Sequence, residues 1–256
     1  MKNRIFSTDS PKAIKASAFG YLNAIHYMAP ADLSGVNLCP HASAGCKALC
    51  LGWTAGQAGI VSNLASRRAQ GNATRQSRLD KARRFMRDRA GYMRDVVKSI
   101  EQAQAKAKRL GKKLCVRMNG SSDIAWEGIA CERWIDGIPG LYRSVFAAFP
   151  EVEFVDYTKN PRRFERALPA NYHLTFSRSE SNEADAERLL ARGVNVAVVF
   201  ANGLPAWWRG YRVINGDIHD LRHLDPKAPI GGKGYVIGLS PKGRKAKKDI
   251  SGFVVR

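Results

Sequence analysis

The sequence predicts an α/β fold: a single domain over residues 1–256, built as a complete or partial parallel β/α barrel of TIM type, with a cysteine-bearing loop after the first strand. Three observations lead to it. Short runs rich in Val, Ile, Leu, Phe and Tyr alternate with segments of helical period, the pattern of a parallel sheet. Six of these runs break at once into polar residues, as strands do where their carboxyl ends form a site. The 256 residues suffice for one core of barrel size.

Residues 1–12 are polar and expected to be flexible. Lys15–Tyr21 reads as the first strand, and the long loop after it carries Cys39, Cys46 and Cys50. Ser77 is the expected N-cap of a helix from Arg78 to Leu110. Its apolar residues Leu79, Ala82, Phe85, Met86, Met93, Val96, Val97 and Ile100 step by threes and fours, so one face packs while the other displays arginine. Gly91 is a place for it to bend, and Gly111 closes it. Strands follow at Leu114–Met118, Val152–Tyr157, His173–Phe176, Asn195–Phe200, Tyr211–Ile214 and Gly234–Leu239. The clearest helix among them is Glu183–Arg192, and Glu132-Arg133-Trp134 after Cys131 also reads as helical. Residues 242–256 form a basic C-terminal segment.

Hydrophobic residues make up 45% and charged residues 25%, the balance of a soluble globular protein. No run reaches the length of a membrane span, and the start of the chain lacks the apolar stretch of a signal peptide. A cytoplasmic protein without a membrane partner is expected. Five cysteines, an odd number over a long chain, fit reduced thiols better than a disulfide framework. The net charge is +20, and it is concentrated. From Arg67 to Lys113, sixteen Lys and Arg stand against four acids, and Lys242–Lys248 adds five positive charges and no acid. Such fields attract polyanions, so nucleic acid or a nucleotide is the expected partner.

Cys39, Cys46 and Cys50 carry the strongest chemical signal. Thiolates select zinc, copper(I) or iron–sulfur clusters over harder ions. Three of them hold a [4Fe–4S] cluster with one open iron, the leading reading. Zinc is the alternative, closed as a Cys3His site by His41 or His26. Cys115 lies inside an apolar strand and reads as core, while Cys131 has no evident partner.

The polar strand ends are expected to share one rim: Asn119, Asp123, Thr158, Lys159, Ser177, Glu180, Asn202, Asp217 and Lys242. Lys159, Asp217 and His219 are the candidates for proton transfer or phosphate contact. The run Asp217–Asp225 is alternatively a second metal site or a cap and salt-bridge network around Arg222. Trp207, Trp208 and Arg209 combine aromatic faces with a guanidinium, which suits stacked bases and phosphates. Together with Arg83, Arg84 and Arg87 on the basic helix they are the expected nucleic-acid-binding residues. Gly231-Gly232-Lys233-Gly234 is too short for a phosphate-binding loop.

Two resemblances add to this. Asn37–Cys46 with Cys50, Arg117–Ile124, Asp156–Lys159, Asn215–Asp220 and Ser251–Phe253 resemble segments of an uncharacterised family of phage and prophage proteins, which implies a phage setting. More distantly, the chain resembles radical S-adenosylmethionine enzymes. That resemblance implies a partial β/α barrel whose first loop holds a [4Fe–4S] cluster on three cysteines, with S-adenosylmethionine as cofactor. The spacing here is six residues and then three, where that superfamily usually has three and then two. By the same resemblance Asn119, Asp123, Ser177 and Glu180 would orient cofactor or substrate. The resulting expectation is a phage-type iron–sulfur enzyme, radical-S-adenosylmethionine-like, acting on nucleic acid or a nucleotide. The alternative is a non-catalytic, zinc-stabilised DNA- or RNA-binding protein.

Overall fold

In the computed structural model, which describes residues 5–54, 58 and 72–256, the chain opens with β1 (Phe6–Ser7), α1 (Pro11–Ser17) and β2 (Tyr21–His26). Ser10 caps α1 by accepting the Ala13 N–H at 3.3 Å, and Pro11 fills the first helical position. Lys15–Tyr21, expected as the first strand, is therefore the end of a helix and a turn, and the strand begins only at Tyr21. β1 and the start of α1 also occupy part of the stretch expected to be flexible.

α2 (Ala44–Ala48) and α3 (Leu51–Thr54) belong to the cysteine loop. α4 (Ala73–Arg87) and α5 (Arg89–Arg109) replace the single helix expected from Arg78 to Leu110. The break falls at Asp88, not Gly91: Asp88 leaves helical geometry, and its carboxylate accepts the Gly91 N–H at 2.9 Å to cap α5. Asn72, rather than Ser77, caps α4.

After β3 (Lys113–Arg117), the segment around Cys131 expected as helix is a hairpin of β4 (Cys131–Ile135) and β5 (Ile138–Tyr142). Asp136 and Gly137 turn it with φ of 51° and 80°, the two-residue turn whose twist matches paired strands. The chain continues through α6 (Val145–Ala148), β6 (Glu153–Thr158), β7 (Tyr172–Ser177), α7 (Glu183–Ala191) and β8 (Val196–Phe200). It then forms β9 (Trp207–Trp208), β10 (Tyr211–Asn215), β11 (Val236–Leu239), α8 (Gly243–Lys247) and β12 (Val254–Val255).

The result is a mixed α/β architecture with a largely parallel central sheet, in the order β1-β2-β3-β6-β7-β8-β11-β10-β9. β2, β3, β6, β7, β8, β11 and β10 run parallel, and β1 and β9 add antiparallel ends. Among the described pairings none joins the two ends, so closure into a full barrel is not among them. β12 pairs with β8 on the edge that β7 leaves free. Ser177 faces Ala197, and two residues later Val254 faces Val199.

One face of the sheet packs on α4 and α5. Leu22, Ala24, Leu114, Val116, Phe154 and Tyr172 meet Phe85, Tyr92, Met93, Val96 and Ile100, with Trp126 and Phe146 also buried there. Each such large side chain contributes about 1.5–3 kcal/mol. A second cluster joins Leu189 and Leu190 of α7 to Phe176, Val196, Val198 and Val236.

The opposite face bears Asn23, Cys115 and Val155, the alternate residues of their strands. Beside α1, the polar return from β10 to β11 crosses it. Leu221 packs on Ala16, Cys115 and Val155, Asp220 pairs with Arg117 at 3.0 Å, and His223 stacks edge-on against Tyr21 at 4.7 Å. Arg222 pairs with Asp225 at 3.2 Å. The run Asp217–Asp225 is thus a packed salt-bridge segment.

Candidate functional site

The cysteine loop leaves the carboxyl end of β2 and lies over the ends of β3, β6 and β7. Its first thiol is placed by backbone: the Ala31 N–H points at Cys39 Sγ over 3.3 Å, and the Asp123 N–H bonds Leu38 O at 2.8 Å. Ser43 caps α2 and accepts the Cys46 N–H at 3.1 Å. Cys50 stands between α2 and α3. Burial, opposed by the Ala31 N–H and aided by the neighbouring Cys50, Asp123 and Cys46, pushes the Cys39 thiol up to about 12. Burial likewise lifts Cys50 to about 11, with Cys46 adding to it while Arg78 and Lys159 pull it down. The three thiols therefore lie within electrostatic reach of one another. Among the described residues, no group of three or more His, Cys, Asp or Glu is arranged to hold a metal ion as it stands.

The loop is fastened from several sides. Glu180, after β7, accepts the Ser43 hydroxyl at 2.8 Å and the Gly45 N–H at 2.7 Å. A Cβ on Gly45 would lie 2.9 Å from both Glu180 carboxylate oxygens and 2.6 Å from Ser251 Oγ, so any larger residue must displace the side chains that fasten the loop. Gly52 is pressed in the same way against Ser121, after β3. Arg78 reaches over from α4, donates to the Gly52 carbonyl and lies 4.6 Å above the Tyr27 ring.

Beneath the loop, Asn119 organises the end of β3. Its side-chain oxygen accepts from Ser122, Ile124 and the Trp126 indole, and its amide donates to Asp156 at 3.1 Å. Asp123 pairs with Arg163 at 3.2 Å and accepts the Lys159 N–H at 2.9 Å. Lys159 Nζ donates to Ser177 Oγ at 2.8 Å and stands 5.4 Å over the Phe253 ring. Arg163 also grips Glu127 through two bonds of 2.8 and 2.6 Å.

Burial raises the Asp156 carboxyl to about 7, against the opposing pull of the Asn119 N–H, Arg117, Arg163 and Tyr172. A carboxyl raised on folding binds its proton more tightly in the native state. Its stabilisation is complete below about pH 4 and is lost as pH rises towards 7, at up to about 1.4 kcal/mol per pH unit. Asp156→Asn is expected to remove that term. In urea melts between pH 4 and 7, the stability of the variant minus that of the wild type should rise with pH. A pH-independent difference would refute it.

Of the residues singled out from sequence, Cys39, Cys46, Cys50, Asp123, Lys159, Ser177 and Glu180 share this neighbourhood, and Asn119 is buried just below it. Asp217 and His219 are engaged elsewhere. Asp217 pairs with Lys242 at 2.9 Å and accepts the Ser240 N–H at 2.7 Å, which ties β10 to β11. The His219 ring packs against Phe19 at 4.9 Å. His26 does not serve as a fourth ligand. Its Nδ1 faces the Met118 carbonyl at 3.0 Å and must donate, so its Nε2 accepts the Tyr92 hydroxyl at 2.6 Å, and burial holds it down at about 3. His41 is exposed.

The two halves of the expected nucleic-acid surface stand apart. Arg83, Arg84 and Arg87 are exposed on α4, with Arg84 paired to Asp95 at 2.6 Å, at the β2–β3 end of the sheet. Trp207, Trp208 and Arg209 sit at the β9 end, where Arg209 is neutralised by Glu183 and Glu187 at 2.6 and 2.5 Å. Trp207 is exposed, while Trp208 packs on Phe200. Sequence reasoning missed Arg78, Ser121, Asp156, Arg163 and Ser251. Ser121, Asp156 and Ser251 fall in segments that carry the phage-family resemblance, while the signal for Arg78 and Arg163 was only their place in the long basic helix or shortly after a strand end.

The chain matches one protein-family model, described as Gene product 88, over residues 4–256. No curated protein and no solved structure matches it. No helix among the described residues is long and apolar enough to cross a membrane.

Proposed function

The chain belongs to the Gene product 88 family, a family of phage proteins; from its site we propose that it is a phage iron–sulfur enzyme of the radical S-adenosylmethionine type, working in the host cytoplasm on nucleic acid or a nucleotide. In this reading the sheet is a partial β/α barrel and Cys39, Cys46 and Cys50 hold a [4Fe–4S] cluster. The observation that carries it is the grouping of three thiols, from the loop after the first parallel strand, above the carboxyl ends of its neighbours. The donor set fits: three thiolates leave one iron without a protein ligand, and Arg78 and Lys159 supply positive charge beside Cys50. When bound, the cluster supplies one-electron chemistry at that open iron.

The chain's own residues do the rest. Glu180 and Ser121 hold the loop against the strand ends. Lys159, already fixed by Ser177, is placed to take an anionic group of cofactor or substrate, and Asp123 with Arg163 keeps its backbone in position. The basic surface raises the local concentration of a polyanion.

Anaerobically purified protein is expected to be brown, with a full cluster's complement of iron and sulfide. Its visible and electron paramagnetic resonance spectra should shift on adding S-adenosylmethionine. A triple Cys39→Ser, Cys46→Ser, Cys50→Ser variant should lose the iron. A colourless protein holding one tight zinc would overturn this and leave a zinc-stabilised binding protein.

A further inference from the structure

From the sequence, the basic run Lys242–Lys248 is notable only for its charge. The fold puts it beside the cysteines. Arg244, Lys245, Lys247 and Lys248 on and just after α8 are all exposed, while Ala246 is buried beneath them. Among the described residues none of the four has an ion pair, whereas Arg84 and Arg209 are both neutralised by acids.

The segment between α8 and the C-terminus is tied to the rim at several points. The buried Asp249 carboxylate accepts the Ser251 N–H, the Ser251 hydroxyl at 2.7 Å and the Val254 N–H at 2.9 Å. Arg256 donates back to the carbonyls of Asp249 and Lys247. Arg178, at the end of β7, donates to the Gly252 and Phe253 carbonyls. Ser251 Oγ lies against Gly45, one residue from Cys46. Two residues separate Lys248 from Ser251, so their Cα atoms are at most about 11 Å apart. Lys248 and the short α8 before it thus approach the loop that carries the thiols.

The half-exposed ring of Phe253 follows in the same segment, with Lys159 Nζ over it at 5.4 Å. Closely spaced cations without an ion pair, near a half-exposed aromatic ring, are the elements that track a phosphodiester backbone and stack an unpaired base.

We propose that Arg244, Lys245, Lys247 and Lys248 form the docking surface for a nucleic-acid strand, which they deliver across Phe253 to the cysteine rim. The role of that rim rests on the function proposed above, but the docking surface is measured independently of it.

The test is binding of a fluorescent single-stranded oligonucleotide, DNA and RNA in turn, over a range of salt. The wild-type protein is compared with a variant carrying Arg244→Gln, Lys245→Gln, Lys247→Gln and Lys248→Gln, and with the pair Arg94→Gln, Lys98→Gln, both exposed on α5. The first variant is expected to bind at least tenfold more weakly near physiological salt. With four phosphate contacts gone, its slope of log affinity against log salt should flatten by about 3. The second should stay within twofold of wild type. Equal binding by the first variant, or no binding by wild-type protein at low salt, overturns the proposal. Iron content and thermal melting are read on the same samples. A protein without iron that still shows the selective loss keeps the docking surface and refutes only the cluster.

Discussion

Asp220→Ala is expected to destabilise the protein by about 3–5 kcal/mol, because it leaves a buried guanidinium without its counter-charge. Arg117 is largely buried on the face of the sheet crossed by the β10–β11 return, 3.0 Å from Asp220 and 4.7 Å below the Tyr157 ring centroid. Burial penalises its cation, yet Asp220, Tyr157 and Asp156 outweigh that and hold its pKa above the usual range. Removing Asp220 reverses the balance and also loosens the segment that carries Leu221 against Cys115 and Val155. Urea melts of the variant should show the loss. The double variant Arg117→Met, Asp220→Leu should recover much of it, since an apolar pair of similar volume leaves no buried charge. If the double variant is as unstable as the single one, packing of the return segment rather than charge is what the pair provides.

Glu180→Ala is expected to release the cysteine loop while leaving the core folded. The carboxylate is the common acceptor for Ser43 Oγ and Gly45 N–H at the start of α2. Hydrogen bonds to a charged acceptor contribute about 1.5–3 kcal/mol each. A local loss of about 3–6 kcal/mol for the two bonds is enough to open α2 without unfolding the sheet. Hydrogen exchange should therefore speed up at least thirtyfold at Gly45 and Cys46, with little change in β3, β6 or β7. Retention of the proposed cluster should fall in parallel. Glu180→Gln, which keeps an acceptor, should rescue part of the protection. Gly45→Ala should resemble Glu180→Ala, since its methyl group needs the space the carboxylate fills. Uniform exchange changes across the sheet would show that Glu180 supports the fold as a whole.

How much of this could be read from the chain varies with the range of the interaction. The parallel strands β3, β6, β7, β8, β10 and β11 were legible because Val, Ile and Phe cluster there and polar residues come directly after them. α1 was not, although its signal was present: Ser10-Pro11 is a cap followed by the one residue that suits the first helical position. Asp88, three residues before Gly91, carried the same kind of signal for the helix break. Asp136-Gly137 is a hairpin turn in plain sequence, yet the helix-compatible Glu132-Arg133 next to it masked the strands. The site was legible as a set of strand ends. Its wiring was not: the bond from Glu180 to Gly45 joins residues 135 apart, and the one from Arg117 to Asp220 spans 103. No local pattern encodes such partners. The return from β10 was the hardest part, because a polar segment of mixed charge looks like surface and becomes interior only when Arg117 and Arg222 are there to meet its acids.

β12 fills the edge of β8 that β7 vacates, and the residues leading into it lie against the cysteine loop. The order of synthesis gives this a temporal meaning. By the time α8 leaves the ribosome, all three cysteines and every parallel strand except β12 have already emerged, yet the loop still lacks Ser251 and the carbonyls that engage Arg178. The contact is also among the longest in the chain, and such contacts form late during folding. Loading of the proposed cluster would then be a final event in maturation, reserved for chains whose translation has passed Phe253. A prematurely terminated copy would expose unassembled thiols without ever closing the site around them.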